Sequence, residues 1–383
     1  MRIVYIITGT DVGGAEMALL KLLGRLSPEF EPHVISMVPL GPVGRAMQEL
    51  GVAVESLGMQ RGRAGWRAFA TLVRRLRVLQ PDAVHTWMYH ADLMGGLAAR
   101  IACRAPVAWC VRNSDLDGQR ALTRIVRACA ALSRWVPRRI VCCSTVARDI
   151  HVRLGYRADR FVVIPNGFDL ARFLPDSDAR ARIRRELRLP EQALVVGAVG
   201  RWHPQKDHVG LLRACANAMK RDERIHCVAV GEGVDVSNPV LAQEVKRLGL
   251  APRVHLLGPR SDIPAVMAAF DVFVSASAFG EAFPNVVGEA MATGVPCVVT
   301  DVGDSRAIVG DTGVVVPPRD PSSLGKAIGD LLALDPGERS RRGLAARVRV
   351  AQVFDLGRVT EAYEAFYRQL APGVPAPLVV GGD

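Results

Sequence analysis

The chain has 383 residues, 49% of them apolar and 23% charged, with a formal net charge of +11. That profile fits a folded protein long enough for two α/β domains and excludes a disordered or fibrous chain. No apolar run reaches the ~18 residues of a membrane-spanning helix. The eight cysteines (103, 110, 129, 142, 143, 215, 227 and 297) form no C-x-x-C pair and no zinc-spaced cluster, so they read as buried reduced thiols with no bound metal. Residues 1–170 carry 23 Lys and Arg against 13 Asp and Glu, whereas residues 171–383 carry 26 against 25. The first half therefore calls for an acidic partner: a membrane surface, a polyanion or nucleic acid. Nucleic acid is the poorest fit of these, since aromatics make up 5% and no recognition motif is present.

In chain order, residues 1–7 are too short an apolar run for a signal peptide and read as a first strand, which predicts a cytoplasmic protein. Strands are predicted at 3–7, 33–37, 52–57, 83–85, 107–111, 139–143 and 161–164, with helices between them, including 15–26, 66–79 and 121–134. This alternation implies a parallel sheet covered on both faces. The turn residues at 165–169, Pro-Asn-Gly-Phe-Asp, mark a domain junction. Strands then resume at 194–199, 226–230, 254–257, 272–275, 297–299 and 314–316. A final helix is predicted at 355–370, followed by a flexible tail over 371–383.

Several loops between these elements carry chemistry. After the first strand, Gly13 and Gly14 open a helix without the G-x-G-x-x-G dinucleotide pattern, yet their N–H groups and the helix dipole suit an anion. A plain tight turn would look much the same. Residues 61–79 place arginines at 61, 63, 67, 74, 75 and 77 around an apolar stripe (66, 69, 72, 73, 76). That pattern fits either an anionic membrane surface or a sheet-covering helix with a basic outer face. Asn113 and Asp115 follow a strand, and their polar side chains suit either contact with a ligand or a helix start. Arg201 and Lys206, in Gly200-Arg-Trp-His-Pro-Gln-Lys-Asp207, pair a guanidinium fork with a point charge at a strand end, which suits a diphosphate. In Gly231-Glu232-Gly233 the glycines allow close backbone approach to a ligand. Finally, Glu281 lies in the loop after the 272–275 strand, and Glu289 in the helix that follows. Each carboxylate can accept two hydrogen bonds from vicinal hydroxyls, as a sugar and a ribose require.

The stretch from Val272 to Asp301, with Gly280, Glu281, Pro284, Asn285, Glu289 and Gly294, resembles the Glu-x7-Glu motif of retaining glycosyltransferases of family four. The Gly200–Asp207 segment matches that family's Gly-Arg…Lys signature. The resemblance implies the GT-B fold: two doubly wound, Rossmann-like parallel-sheet domains facing across a cleft. It assigns 1–165 to acceptor binding and 166–354 to the nucleotide-sugar donor, with helix 355–370 packing back on the first domain. It implies Glu281, Arg201 and Lys206 at the reacting centre. Glu289 would hold the ribose, Gly13, Gly14, Gly231 and Glu232 would lie beside the donor, and Gly258 near the base. Phe283, Pro284 and Asn285 complete the donor set, and Asn113 and Asp115 would meet the acceptor. Many members carry His-x-His after the fourth strand; here Trp87 stands at the second position, leaving His90 to take that role or no imidazole at all.

The expected function is transfer of a hexosyl unit from a nucleotide diphosphate sugar, UDP-linked by preference, to a glycan or lipid-linked acceptor, with no cofactor and no metal. The expected setting is cell-surface polysaccharide biosynthesis in the cytoplasm, at the inner membrane face. The alternatives are a nucleotide-sugar epimerase or phosphorylase of the same fold, or a non-catalytic nucleotide-sugar-binding protein.

Overall fold

A computed structural model describes residues 1–60, 65–112 and 120–371. Arg61, Arg63, Asn113, Asp115 and the tail beyond 371 lie outside the described residues. The chain divides into two compact units, Met1–Gly167 with the segment from Leu356 onward, and Phe168–Asp355.

The first unit is built on seven strands: β1 (Arg2–Ile7), β2 (Glu31–Ser36), β3 (Ala53–Ser56), β4 (Ala83–Trp87), β5 (Val107–Val111), β6 (Arg139–Cys142) and β7 (Phe161–Val163). They pair in parallel in the order β3-β2-β1-β4-β5-β6-β7. β4 extends two residues beyond the predicted 83–85, because Thr86 and Trp87 pair with Ile6 and Ile7 on one side and Trp109 and Cys110 on the other. A central parallel strand is buried on both faces, so it has no polar–apolar alternation to mark its end. The first helix, Gly14–Leu23, stops at Gly24, short of the predicted residue 26.

Two helical layers cover this sheet, and they differ in charge. Ile3, Tyr5 and Ile7 share a core with Leu19 and Leu22 of helix Gly14–Leu23, Met47 of helix Pro42–Glu49, and Val359, Tyr363, Phe366, Tyr367 and Leu370 of helix Leu356–Leu370. That last spacing keeps one face of the returning helix on the sheet, and each buried side chain contributes about 1.5–3 kcal/mol. The opposite face meets helix Tyr89–Ala102, whose Gly95 packs against Ile6 and Thr86. Helices Trp66–Leu79 and Arg120–Leu132 flank it. These three helices contain eight arginines and one aspartate, the buried Asp92; the three opposite contain four basic and four acidic residues. Along helix Trp66–Leu79 the predicted stripe divides. Leu72, Val73 and Leu76 are buried, whereas Trp66 is exposed, with the Arg67 guanidinium 5.6 Å from the centre of its ring.

The second unit holds β8 (Leu194–Val199), β9 (Ile225–Val230), β10 (Val254–Leu256), β11 (Val272–Ser275), β12 (Cys297–Thr300) and β13 (Val314–Val316), parallel in the order β10-β9-β8-β11-β12-β13. Its entry and exit are joined: Phe168 N–H donates to the Phe354 carbonyl at 2.8 Å. The Phe168 ring stacks on Phe283, and Phe354 meets Phe283 edge-on. A Cβ at Gly288 would collide with the Phe168 ring, so only glycine fits there. In both sheets the strand order reverses next to the first strand, between β1 and β4 and between β8 and β11. Ligands bind open α/β sheets at the carboxyl ends of the strands beside such reversals.

Candidate active site

In the second unit, Arg201, Lys206 and Glu281 all follow the two strands that flank the reversal. β8 ends at Val199, and the next residues form a short turn, Pro204–Lys206, closed by His203 Nδ1 accepting from Gln205 N–H at 3.3 Å. Asp207 then adopts a left-handed conformation (φ 46°), which Asp tolerates better than most residues, and caps helix His208–Met219 by accepting from Gly210 N–H at 2.9 Å. Lys206 is thereby fixed between a turn and a helix start, its aliphatic stem passing over Gly200. Its Nζ donates to Glu281 Oε1, the same oxygen that accepts from Ser277 Oγ at 2.8 Å. Glu281 is 8% exposed. Ala278 N–H donates to the Gln205 carbonyl at 2.7 Å, so backbone also joins the two loops across the reversal. From the β12 side, Asp304 N–H bonds the Ala282 carbonyl at 3.0 Å.

The loops after β8, β9 and β10 are tied in the same manner. Trp202 N–H donates to Glu232 O at 2.7 Å, Gly231 N–H to Gly258 O at 2.9 Å and Gly258 N–H to Val234 O at 2.8 Å. Gly231 sits at φ 154°, and a Cβ there would run into the Gly200 carbonyl. Arg201, five residues earlier in the same loop, is exposed and has no side-chain partner among the described residues, whereas Lys206 is paired.

Glu289 lies on helix Asn285–Ala292, half-buried, eight residues after Glu281, which sits in the preceding loop. Asn285 is the helix's first residue; Pro284 precedes it as the N-cap, one place earlier than a first-turn position. Phe283 is nearby in sequence, but its ring belongs to the Phe168–Phe354 cluster and serves packing. A cavity of about 630 Å³ opens at the other end of this sheet, beside Asp271. That carboxylate already holds Arg180 at 2.6 Å, Arg184 at 2.5 Å and the Val195 N–H at 2.7 Å, a structural ion cluster.

In the first unit, Gly13 is the N-cap of helix Gly14–Leu23, with the Glu16 side chain folded back over it. Thr10 fixes the loop by accepting from Gly41 N–H through Oγ1 at 2.9 Å and from Val43 N–H through its carbonyl at 3.0 Å. His90 is exposed in the first turn of helix Tyr89–Ala102, and desolvation holds its imidazole pKa below the ordinary value. His85 is fully buried against Tyr367 Oη at 2.9 Å, and burial lowers its pKa to about 3; it serves packing. Sequence reasoning missed two polar residues that the structure brings into play. Ser277 stands four residues before Glu281, a spacing that a strand-end loop could have suggested. Arg112 follows β5 and gave no motif signal.

Comparison with known proteins agrees with this architecture. Residues 12–172 match the family model described as Glycosyltransferase Family 4, and residues 193–334 the one described as Glycosyl transferases group 1. The D-inositol 3-phosphate glycosyltransferase of Salinispora tropica is 35% identical over 88% of this chain and 76% of that protein. The UDP-Gal:alpha-D-GlcNAc-diphosphoundecaprenol alpha-1,3-galactosyltransferase of Escherichia coli is 26% identical over 63% of this chain and 64% of its own length. Among solved structures, Anabaena HepE in complex with UDP superimposes with a TM-score of 0.86 at 24% identity, covering 96% of this chain and 100% of that one. The fold is GT-B, an architecture of two parallel-sheet α/β domains. The chain belongs to glycosyltransferase family four and is a transferase enzyme.

Proposed function

We propose that the chain is a retaining glycosyltransferase that moves a hexosyl unit from a UDP-linked sugar to a hydroxyl of a glycan or lipid-linked acceptor in cell-surface polysaccharide assembly. The observation that carries this reading is the Lys206–Glu281–Ser277 constellation at the β8/β11 reversal, with Arg201 beside it. The solved HepE complexes hold UDP and UDP-glucose, and the E. coli relative is named for a UDP-galactose donor, which supports the choice of base.

In this reading Glu289 receives the ribose hydroxyls and Glu281 the sugar hydroxyls, while Arg201 and Lys206 meet the diphosphate. The bond from the anomeric carbon to the phosphate oxygen breaks, and negative charge gathers on the leaving diphosphate. Fixed cations there lower the barrier. Glu281 Oε1 is engaged by both Lys206 and Ser277, which suits holding a sugar better than attacking it. The acceptor oxygen would then bond to the anomeric carbon on the face the phosphate leaves, passing its proton to a phosphate oxygen. His90, exposed at a helix start, is the imidazole available to hydrogen-bond a substrate hydroxyl. No described helix is long and apolar enough to cross a membrane. The basic helical layer with exposed Trp66 instead supports a peripheral position on an anionic cytoplasmic membrane face, near a lipid-linked acceptor.

The test is a thermal-shift screen of nucleotide sugars, then turnover with the stabilising donor and proton NMR of the product's anomeric signal. Stabilisation by a UDP-sugar and a product with the donor's anomeric configuration are expected. An inverted product would sink the retaining mechanism, and binding without turnover on any acceptor would favour the non-catalytic alternative.

A further inference from the structure

The C-terminal edge of the first sheet holds a cation that the roles above leave unused. Arg112 directly follows β5. Its Nη2 donates to Tyr363 Oη at 2.6 Å, its Nε to Cys110 Sγ at 3.2 Å and its Nη1 to Asn166 Oδ1. The guanidinium carbon lies 4.3 Å from the centre of the Trp87 ring. All of these partners are neutral, and no carboxylate among the described residues pairs with it. A guanidinium has five N–H donors and keeps its charge throughout the range in which proteins fold. Among the described residues, two donors and the whole charge are therefore left over on a half-buried group.

Other arginines in this chain are placed differently. Arg180 and Arg184 share Asp271, and Arg260 bridges Glu186 and Asp262. Arg347 and Arg349 donate to carbonyls at the C-terminal ends of helices Asn285–Ala292 and Ser305–Val309, where a cation is favoured. Burying a cation without a counter-charge is unfavourable, yet four separate segments converge to hold this one: β4 through Trp87, β5 through Cys110, the junction through Asn166 and the returning helix through Tyr363. The neighbouring backbone is strained as well. Met88, directly after Trp87, sits at φ 75° and ψ 153°, a region that L residues rarely adopt. It is held there by Met88 N–H donating to Cys110 O at 3.0 Å. Strain of this kind persists where the surroundings enforce it, and it gathers at ligand sites.

We propose that Arg112 anchors an anionic group of the acceptor, a phosphate or diphosphate ester borne near the hydroxyl that receives the sugar. The proposal rests on the glycosyltransferase reading above and narrows its acceptor to a charged one. The proposed function already gives the donor diphosphate two cations in the second unit, Arg201 and Lys206, so a further fixed cation after β5, over the Trp87 ring at the end of β4, serves a second anion. With the guanidinium carbon over the Trp87 ring, one N–H remains on each of Nη1 and Nη2, a pair able to donate to two oxygens of one phosphate.

The experiment compares wild type, Arg112→Gln and Arg112→Lys on two acceptors with the same terminal sugar, one on a lipid diphosphate and one on a neutral alkyl glycoside. Arg112→Gln should lower the preference for the diphosphate acceptor, taken as the ratio of the two KM values, at least tenfold. Arg112→Lys should recover part of it, and the donor Kd by calorimetry should stay within twofold of wild type. An unchanged ratio overturns the proposal, and so does a raised donor Kd, which would assign Arg112 to the donor. Wild type refusing both acceptors would count against the proposed acceptor class rather than against Arg112. A second measurement therefore uses UDP-saturated protein and inorganic pyrophosphate. Pyrophosphate should raise the melting midpoint of wild type but not of Arg112→Gln; an equal rise in both, or none in wild type, overturns the proposal.

Discussion

The C-terminal rims of the two sheets share one strand order but are held differently. In the second unit, neighbouring loops are sewn together by backbone: Trp202 to Glu232, Gly231 to Gly258, Ala278 to Gln205 and Asp304 to Ala282. In the first, side chains do more of the holding: Thr10 fixes Gly41, and Arg112 ties Asn166 to Tyr363 over Trp87. A backbone cradle is rigid and hard to alter by substitution, which suits a diphosphate and ribose common to every nucleotide donor. A rim shaped by side chains can be respecified one residue at a time, which suits acceptors that differ between relatives. Preorganised geometry reduces the ordering cost of binding and of the transition state, so the sewn rim should bear the larger catalytic effects.

The largest effect expected is at the seam itself. Lys206→Ala and Glu281→Ala should each lower kcat by about 10²-fold or more, since each removes a group that the proposed mechanism sets against the donor at the breaking bond. Each also strands its partner in a mostly buried setting, with 21% and 10% side-chain exposure. Breaking such a pair costs about 3 kcal/mol, the lower end for buried pairs because Lys206 keeps some solvent. Arg201→Ala should lower kcat similarly while leaving urea stability unchanged, because its side chain is exposed and unpaired among the described residues. If the two lysine and glutamate variants keep wild-type kcat, the second rim is no better organised for catalysis than the first.

A smaller effect separates the two carboxylates. Glu289→Ala should weaken UDP and UDP-sugar alike, roughly ten- to a hundredfold, as expected for loss of a charged hydrogen-bonding pair. Glu281→Ala should weaken the sugar nucleotide and spare UDP. Calorimetry giving the reverse pattern would exchange their roles.

In the first unit the returning helix offers a pH test. His85 has a folded pKa of about 3, pushed down by burial and by Arg112, against about 6.5 when unfolded. Between those values the unfolded chain binds the extra proton, so stability is full above about pH 6.5 and falls as pH drops toward 3. At pH 5 the loss is about 2 kcal/mol. His85→Asn should show a flatter urea midpoint between pH 7.5 and 5 than wild type; parallel slopes would mean that His85 is not buried neutral against Tyr367.

Much of this organisation is legible in the residues. Glu281, Lys206 and the glycine loops stand out because few residue types suit the turns between strand ends and helix starts, and the C-terminal helix shows its 359, 363, 366, 367, 370 face plainly. What stays hidden arises from contacts distant in sequence. The Phe168 ring needs Gly288, and Arg112 needs Tyr363, a partner 251 residues away. The Trp66 register shows the other limit. Apolar periodicity places Trp66 with Leu72, Val73 and Leu76, yet at the first residue of the helix its ring lies in solvent.

That exposed tryptophan belongs to the smallest predicted effect, and to the other contrast between the units, in charge. The first unit's excess arginine is concentrated in one helical layer, with Arg67, Arg74, Arg77, Arg100, Arg124 and Arg127 exposed; Arg75 is already paired with Glu55 at 2.8 Å. The opposite layer balances its charges. If a membrane accounts for the asymmetry, charge reversal should matter on one layer alone. Each arginine near an anionic leaflet contributes roughly 1 kcal/mol, and salt screens it. In liposome flotation, Arg74→Glu, Arg77→Glu and Arg127→Glu together should abolish binding to vesicles containing anionic lipid at low salt. Arg45→Glu with Arg358→Glu, on the balanced layer, should leave most of it. Wild-type binding should fall as salt rises, and Trp66→Ala should weaken what high salt leaves behind. Equal losses from the two layers would make the attraction one of net charge without a docking face, and no binding at low salt would leave the basic layer as solvated surface.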